Sequence, residues 1–185
     1  MRIFTLGHAT MSLDAFLAVL RTYDIQQVAD IRSMPVSRRN PQFNRDSLPA
    51  SLAEARIGYV HLARLGGRRG RRKDLPAGHP PNGGWQNESF RNYADYALTH
   101  PFQEGLTELE ELAARPTAAF CAEAVWWRCH RRIVADYLVA QGWTVLHLIP
   151  PAPPAPHTLT AFAEIQPDGA IAYPAREEAT PGELE

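Results

Sequence analysis

Thr117 to Ile149, TAAFCAEAVWWRCHRRIVADYLVAQGWTVLHLI, runs from a short apolar segment through a polar turn and a helical pattern to a second short apolar segment. Ile133, Tyr137 and Leu138 supply the apolar contacts of a helix from His130 to Gln141, and Gly142 gives it a C-terminal stop. The flanking runs, Thr117 to Ala122 and Thr144 to Ile149, are too short for helices and read as strands. Strand, helix, strand is the repeating unit of a parallel sheet.

The same rhythm extends toward the N-terminus. Strands are expected at Arg2 to Leu6, Gln26 to Ile31 and Gly58 to Leu62. Ser12 is a good cap for a helix whose Leu13, Phe16, Leu17 and Leu20 share one face, and Ser47 opens a short helix ending near Arg56. Ser89 is placed to cap the helix beginning at Phe90, and Pro101 to start the next one. Between Leu62 and Ser89 lies a long segment rich in Gly, Pro and Arg, of the kind that is more often functional than merely connective. The expected fold is therefore α/β: an open, mainly parallel five-stranded sheet with helices on both faces, Rossmann-like. Residues 1–149 form this domain; residues 150–185 hold a proline-rich linker, Pro150 to Pro156, and a C-terminal hairpin or tail with an Asp168-Gly169 turn.

At 185 residues and 45% hydrophobic, the chain can bury one core but hardly two. No stretch approaches the roughly 18 apolar residues of a membrane span, and a soluble cytoplasmic protein is expected. Two cysteines make no disulfide framework and point to free thiols, catalytic groups or ligands. The net charge of -1 hides a segregation: Arg32 to Lys73 carries eleven basic residues against Asp46 and Glu54, a net of +9, which leaves -10 for the remainder. A cationic stretch of this kind suits a nucleotide or nucleic-acid partner, or simply balances acidic patches elsewhere.

Open parallel sheets bind ligands beyond the carboxyl ends of their strands. Here those ends carry His8, then Asp30, Arg32 and Ser33, then His61 with Leu65-Gly66-Gly67, then Cys121 and Glu123. Asp30 and Arg32, two apart on extended chain, point to one side and also suit a structural ion pair. The loop after the second strand presents Ser37, Arg38 and Asn40, and its guanidinium groups suit bidentate contacts to phosphate.

Several motifs matching in order, TLGH, DIRSMPVSRRNPQFN, GYVHLARLGG, FRNYADY, FCAEAVWWRCHRRIVADYL and VLHL, make the first 149 residues resemble domain of unknown function family 488. The resemblance implies an α/β domain and marks His8, Asp30, Arg32, Ser37, Arg38, Asn40, Arg91, Cys121, Glu123, Cys129, His130 and Arg131 as signature positions. It implies no reaction.

Three chemistries compete for the segment Phe120 to Arg132. Cys121 and Cys129 leave seven residues between them, whereas structural zinc pairs leave two to four; Cys129 and His130 with a distant His8 are a conceivable ligand set, but no metal ligand is assigned. Cys129, beside Arg128, His130 and Arg131 near a helix amino end, has the setting of a stabilised thiolate. The same helix end, with His130 and Arg131, also suits an anion. The leading expectation is a phosphate-bearing ligand held by Arg32, Arg38 and Arg131, with Asp30, Ser37, Asn40, Arg91 and His130 around it. His8 or Glu123 would move protons and Cys129 would act as nucleophile. The alternatives are a non-catalytic nucleic-acid module using residues 32–73, and a thiol enzyme using Cys129. The sequence identifies no cofactor and no oligomeric state.

Overall fold

Six strands form the main sheet of the computed structural model, which describes residues 1–72 and 82–175. Lys73 of the basic stretch and the acidic end of the chain, residues 176–185, lie outside the described residues. The strands are β1 (Arg2–Gly7), β2 (Gln27–Asp30), β3 (Gly58–His61), β4 (Thr117–Cys121), β5 (Thr144–Leu148) and β6 (Ala155–Pro156), in the order β3-β2-β4-β1-β5-β6. The first five are parallel. β4 lies at the centre and is buried along its whole length, as a strand covered on both faces must be.

Two expectations change. The sheet has six strands because part of the proline-rich segment pairs antiparallel with β5, His147 facing Ala155 and Leu146 facing Pro156. Proline is tolerated there because an edge strand has one side on which no N–H is needed. The order also differs from that of the dinucleotide-binding fold, in which β1 would lie between β2 and β4.

Side chains alternate between two cores. On one face, Phe4, Leu6, Val28 and Phe120 meet Phe16 and Leu20 of helix α1 (Leu13–Thr22) and Leu48 and Leu52 of α2 (Leu48–Glu54). On the other, Ile3, Ala29, Ala119 and Val145 pack against α3 (Glu88–Ala97), α4 (His100–Leu112) and α5 (Arg131–Ala140). Ser12 caps α1 through its side chain, which accepts from the Ala15 N–H. α3 is capped by Asn87 rather than Ser89, since the Asn87 side chain accepts from the N–H groups of both Ser89 and Phe90. Ser47 occupies the cap position of α2 without a side-chain bond.

After β6 the chain returns to α5 and forms the expected hairpin, β7 (Glu164–Ile165) with β8 (Ile171–Ala172), turning at Asp168-Gly169. Gly169 adopts a φ of +84°, which glycine takes without penalty. Ile171 and Tyr173 are fully buried in the core against α5. Among the described residues no helix is long and apolar enough to cross a membrane.

Candidate functional site

The parallel register places Gly7 beside Cys121, and Asp30 beside both Phe120 and His61, so the carboxyl ends of four strands share one rim. A cleft of about 870 Å³ opens there. Arg32, Ser33, Glu123, Arg128, Cys129 and His130 are among its lining residues, with Arg68 on the segment that follows Gly66-Gly67.

At the cleft floor, β4 ends in Cys121, and a 3₁₀ turn, Trp126–Arg128, brings the chain back so that Cys129 and His130 precede α5. Both cysteines are buried free thiols. The Nδ1 of His130 lies 3.5 Å from Cys129 Sγ and 4.0 Å from Cys121 Sγ, and the three ligand atoms are all within 4.8 Å of one another. Sequence spacing argued against such a meeting, but a strand end and a helix start pack side by side whatever the number of residues between them. The other ring nitrogen, Nε2, lies 3.0 Å from the Ile31 carbonyl. The Arg131 Nε–H donates to Cys129 Sγ at 3.4 Å. Burial pushes the Cys129 thiol up, but the hydrogen bond from Cys121, the His130 ring and Arg131 outweigh it and hold this thiol well below its ordinary range. Cys121 moves the opposite way, raised well above that range by its bond to Cys129 and by burial.

A second cluster sits beneath. Asp30, wholly buried, accepts from Arg32 Nε at 2.8 Å and Arg32 Nη2 at 2.5 Å, and the Tyr59 hydroxyl donates to it at 2.7 Å. Arg32 also donates to the Phe43 carbonyl and lies 4.7 Å over the Phe120 ring. His8 stacks on Phe43, donates through Nδ1 to the Ala9 carbonyl, and leaves Nε2 buried with no partner among the described residues. Burial first, and then the Arg32 guanidinium, lowers its pKa to about 4, so it is neutral near neutral pH.

The structure therefore divides the expected site residues. Glu123, Cys129 and His130 line the cleft; Asp30, Arg32 and His8 make the buried cluster, with Arg32 also reaching the cleft wall. Two of the three arginines expected to grip an anion are spent elsewhere. Arg32 is held by Asp30, and buried Arg131 donates to the carbonyls of Glu123 and Ala124. Arg38 is exposed but does not line the cleft. Ser37 and Asn40 brace their own loop: Ser37 Oγ accepts from the Asn40 N–H, and the Asn40 amide donates to Ala9. Arg91 stands apart, with its guanidinium on the Trp85 carbonyl. Nor does the start of α5 offer a row of free donors, since the N–H groups of Arg132 and Ile133 bond to the Cys129 and His130 carbonyls.

Residues 12–138 match the family model described as Domain of unknown function DUF488. The chain belongs to this family. The DUF488 match takes in the Cys121, Cys129 and His130 cluster, Asp30 and Arg32, whereas His8 precedes it and β5 follows it. No curated protein and no solved structure gives a match to the chain.

Cys121, which by sequence alone is a strand-end residue without an assigned role, and Arg68, one of many in the basic stretch, both line the cleft. Sequence reasoning missed Tyr59 altogether. It also passed over a buried chain of polar groups beside the site: Thr5 Oγ1 to His147 Nδ1 at 2.6 Å, His147 Nε2 to His157 Nδ1 at 2.9 Å, and His157 Nε2 to Asp136 at 2.8 Å. The available signal was a histidine in the middle of the apolar strand TVLHLI.

Proposed function

We propose that this DUF488 protein binds a small phosphate-bearing ligand in the cleft and performs nucleophilic or acid-base chemistry on it at the cleft floor. The observation that carries this reading is that Arg68 and Arg128, both exposed and neither in an ion pair among the described residues, line the same cleft as Cys129 and His130. Two guanidinium groups over a reactive floor suit a dianionic group, which accepts their N–H donors bidentately. A volume of about 870 Å³ falls within the range of small-molecule pockets and favours a nucleotide-sized ligand over a duplex. Glu123, exposed at the cleft edge, is the proton carrier of this reading; His8 is sealed beneath the cleft. The nucleophile belongs to the Cys121, Cys129 and His130 floor.

Titration calorimetry with inorganic phosphate, nucleotides and oligonucleotides tests the proposal, comparing the wild type with Arg68→Ala/Arg128→Ala. Each lost charge-assisted bond of about 1.5–3 kcal/mol weakens binding about 10- to 100-fold. If no phosphate-bearing compound binds the wild type, or the double variant binds as tightly, the reading is wrong. Binding only to oligonucleotides, with affinity collapsing as salt rises, supports the nucleic-acid module instead.

A further inference from the structure

We infer that Cys121, Cys129 and His130 form a metal centre for a borderline-soft divalent cation, zinc by preference, with three protein ligands and a fourth position open to the cleft. The inference leaves the phosphate-binding part of the reading above untouched, since that rests on Arg68 and Arg128, but it takes over the floor: with both thiolates and the imidazole on a cation, the position open to the cleft stands in place of a free thiol nucleophile.

Geometry comes first. Tetrahedral zinc with Zn–S near 2.3 Å and Zn–N near 2.0–2.1 Å sets its sulfur and nitrogen ligands about 3.6 Å apart. The cluster has Nδ1–Sγ separations of 3.5 and 4.0 Å and all three ligand atoms within 4.8 Å of one another, so a cation enters as the side chains close by at most about an ångström, the two sulfurs moving toward the ~3.8 Å that tetrahedral zinc sets between them. The donor set follows: two thiolates and one imidazole select zinc over magnesium or calcium, which take oxygen ligands. Their charges cancel that of the dication.

The surroundings are those of a ligand set held in readiness. His130 Nε2 faces the Ile31 carbonyl at 3.0 Å, which keeps the ring proton on that nitrogen and leaves the Nδ1 lone pair facing the sulfurs. A metal-bound histidine requires that tautomer. Arg131 donates to Cys129 Sγ, the outer-sphere bond that stabilises a thiolate ligand. Gly67 packs so closely on the His130 ring that a Cβ there would collide with Nδ1, which confines the ring at its ligating edge. All three ligands line the open cleft, so water or an incoming ligand can complete the coordination sphere. Binding transfers the remaining thiol protons to solvent.

The test is metal analysis of the full chain, purified without chelator and then re-equilibrated with one equivalent of Zn²⁺ or Co²⁺. The expected results are one retained metal per chain after gel filtration, proton release on titration, and a thiolate-to-cobalt charge-transfer absorption with the intense visible bands of a tetrahedral ion. Cys121→Ser, Cys129→Ser and His130→Ala each abolish stoichiometric retention. Because a floor variant can fail to fold, thiol protection in the wild type is measured as well: Zn²⁺ slows alkylation of both cysteines at least tenfold. A wild type that retains no metal while both thiols react equally fast with and without Zn²⁺ overturns the inference, as does a Cys121–Cys129 disulfide that forms in its place. Either result leaves the effect of the Arg68/Arg128 variant on phosphate binding standing, so the two proposals fail separately.

Discussion

Asp30 shows what burial does to a functional-looking residue. A carboxylate at a strand end is a natural ligand or base, yet this one is wholly buried and takes both arms of Arg32 and the Tyr59 hydroxyl. Its task is to hold the rim. Arg32→Ala strands that charge without a partner, and the expected loss of stability is about 3–5 kcal/mol, measured by denaturant unfolding. A loss below about 1 kcal/mol means that the pair is solvated and the rim is not held this way. At Gly67 the argument is steric. Alanine there forces the His130 ring aside, at a cost of about 1–3 kcal/mol, and the variant is expected to hold less metal than the wild type.

Among the elements, β5 and α5 are joined by a chain of polar side chains inside the core. Asp136 of α5 accepts from His157, from the Thr160 N–H and from the Tyr173 hydroxyl, and through the two histidines it reaches Thr5 on β1. Asp136→Ala leaves three buried donors unpaired and is expected to cost about 3 kcal/mol or more. The histidines give the fold an acid limit. Burial, together with His157, lowers His147 from its usual 6.5 to about 3, and His8 is lowered from 6.5 to about 4. The folded state refuses protons that the unfolded chain accepts below pH 6.5. Their stabilising contribution is therefore whole above that pH and drains away as pH falls toward 4 and 3, at up to about 1.4 kcal/mol per pH unit for each histidine. Urea midpoints measured from pH 7.5 to 4 check this; His147→Gln flattens the slope if the assignment is right.

For the whole molecule, the segment after Ile149 bears on stability as much as on extent. Ile171 and Tyr173 fill the core that α5 shares with the sheet, and β6 covers the edge of β5. A chain cut after Ile149 is expected to unfold at markedly lower denaturant than the full chain, or to aggregate, because it uncovers that core and leaves Asp136 without His157, Thr160 and Tyr173. An unchanged midpoint makes the segment an appendage.

The alternation of short apolar runs with helical faces by itself determined five parallel strands, their separation into two cores and the rim on which polar groups collect, because each of these follows from the spacing of side chains along a single element. Strand order, the sixth strand and the contents of the cleft were decided only by the tertiary structure. Thr5 and His147 meet across 142 residues and His130 reaches the Ile31 carbonyl across 99. Local periodicity says which face a side chain takes, but not which neighbour shares it. That choice settled which arginines are spent on buried partners and which face the cleft, and it turned two cysteines that looked too far apart to share a ligand into two sides of one cluster.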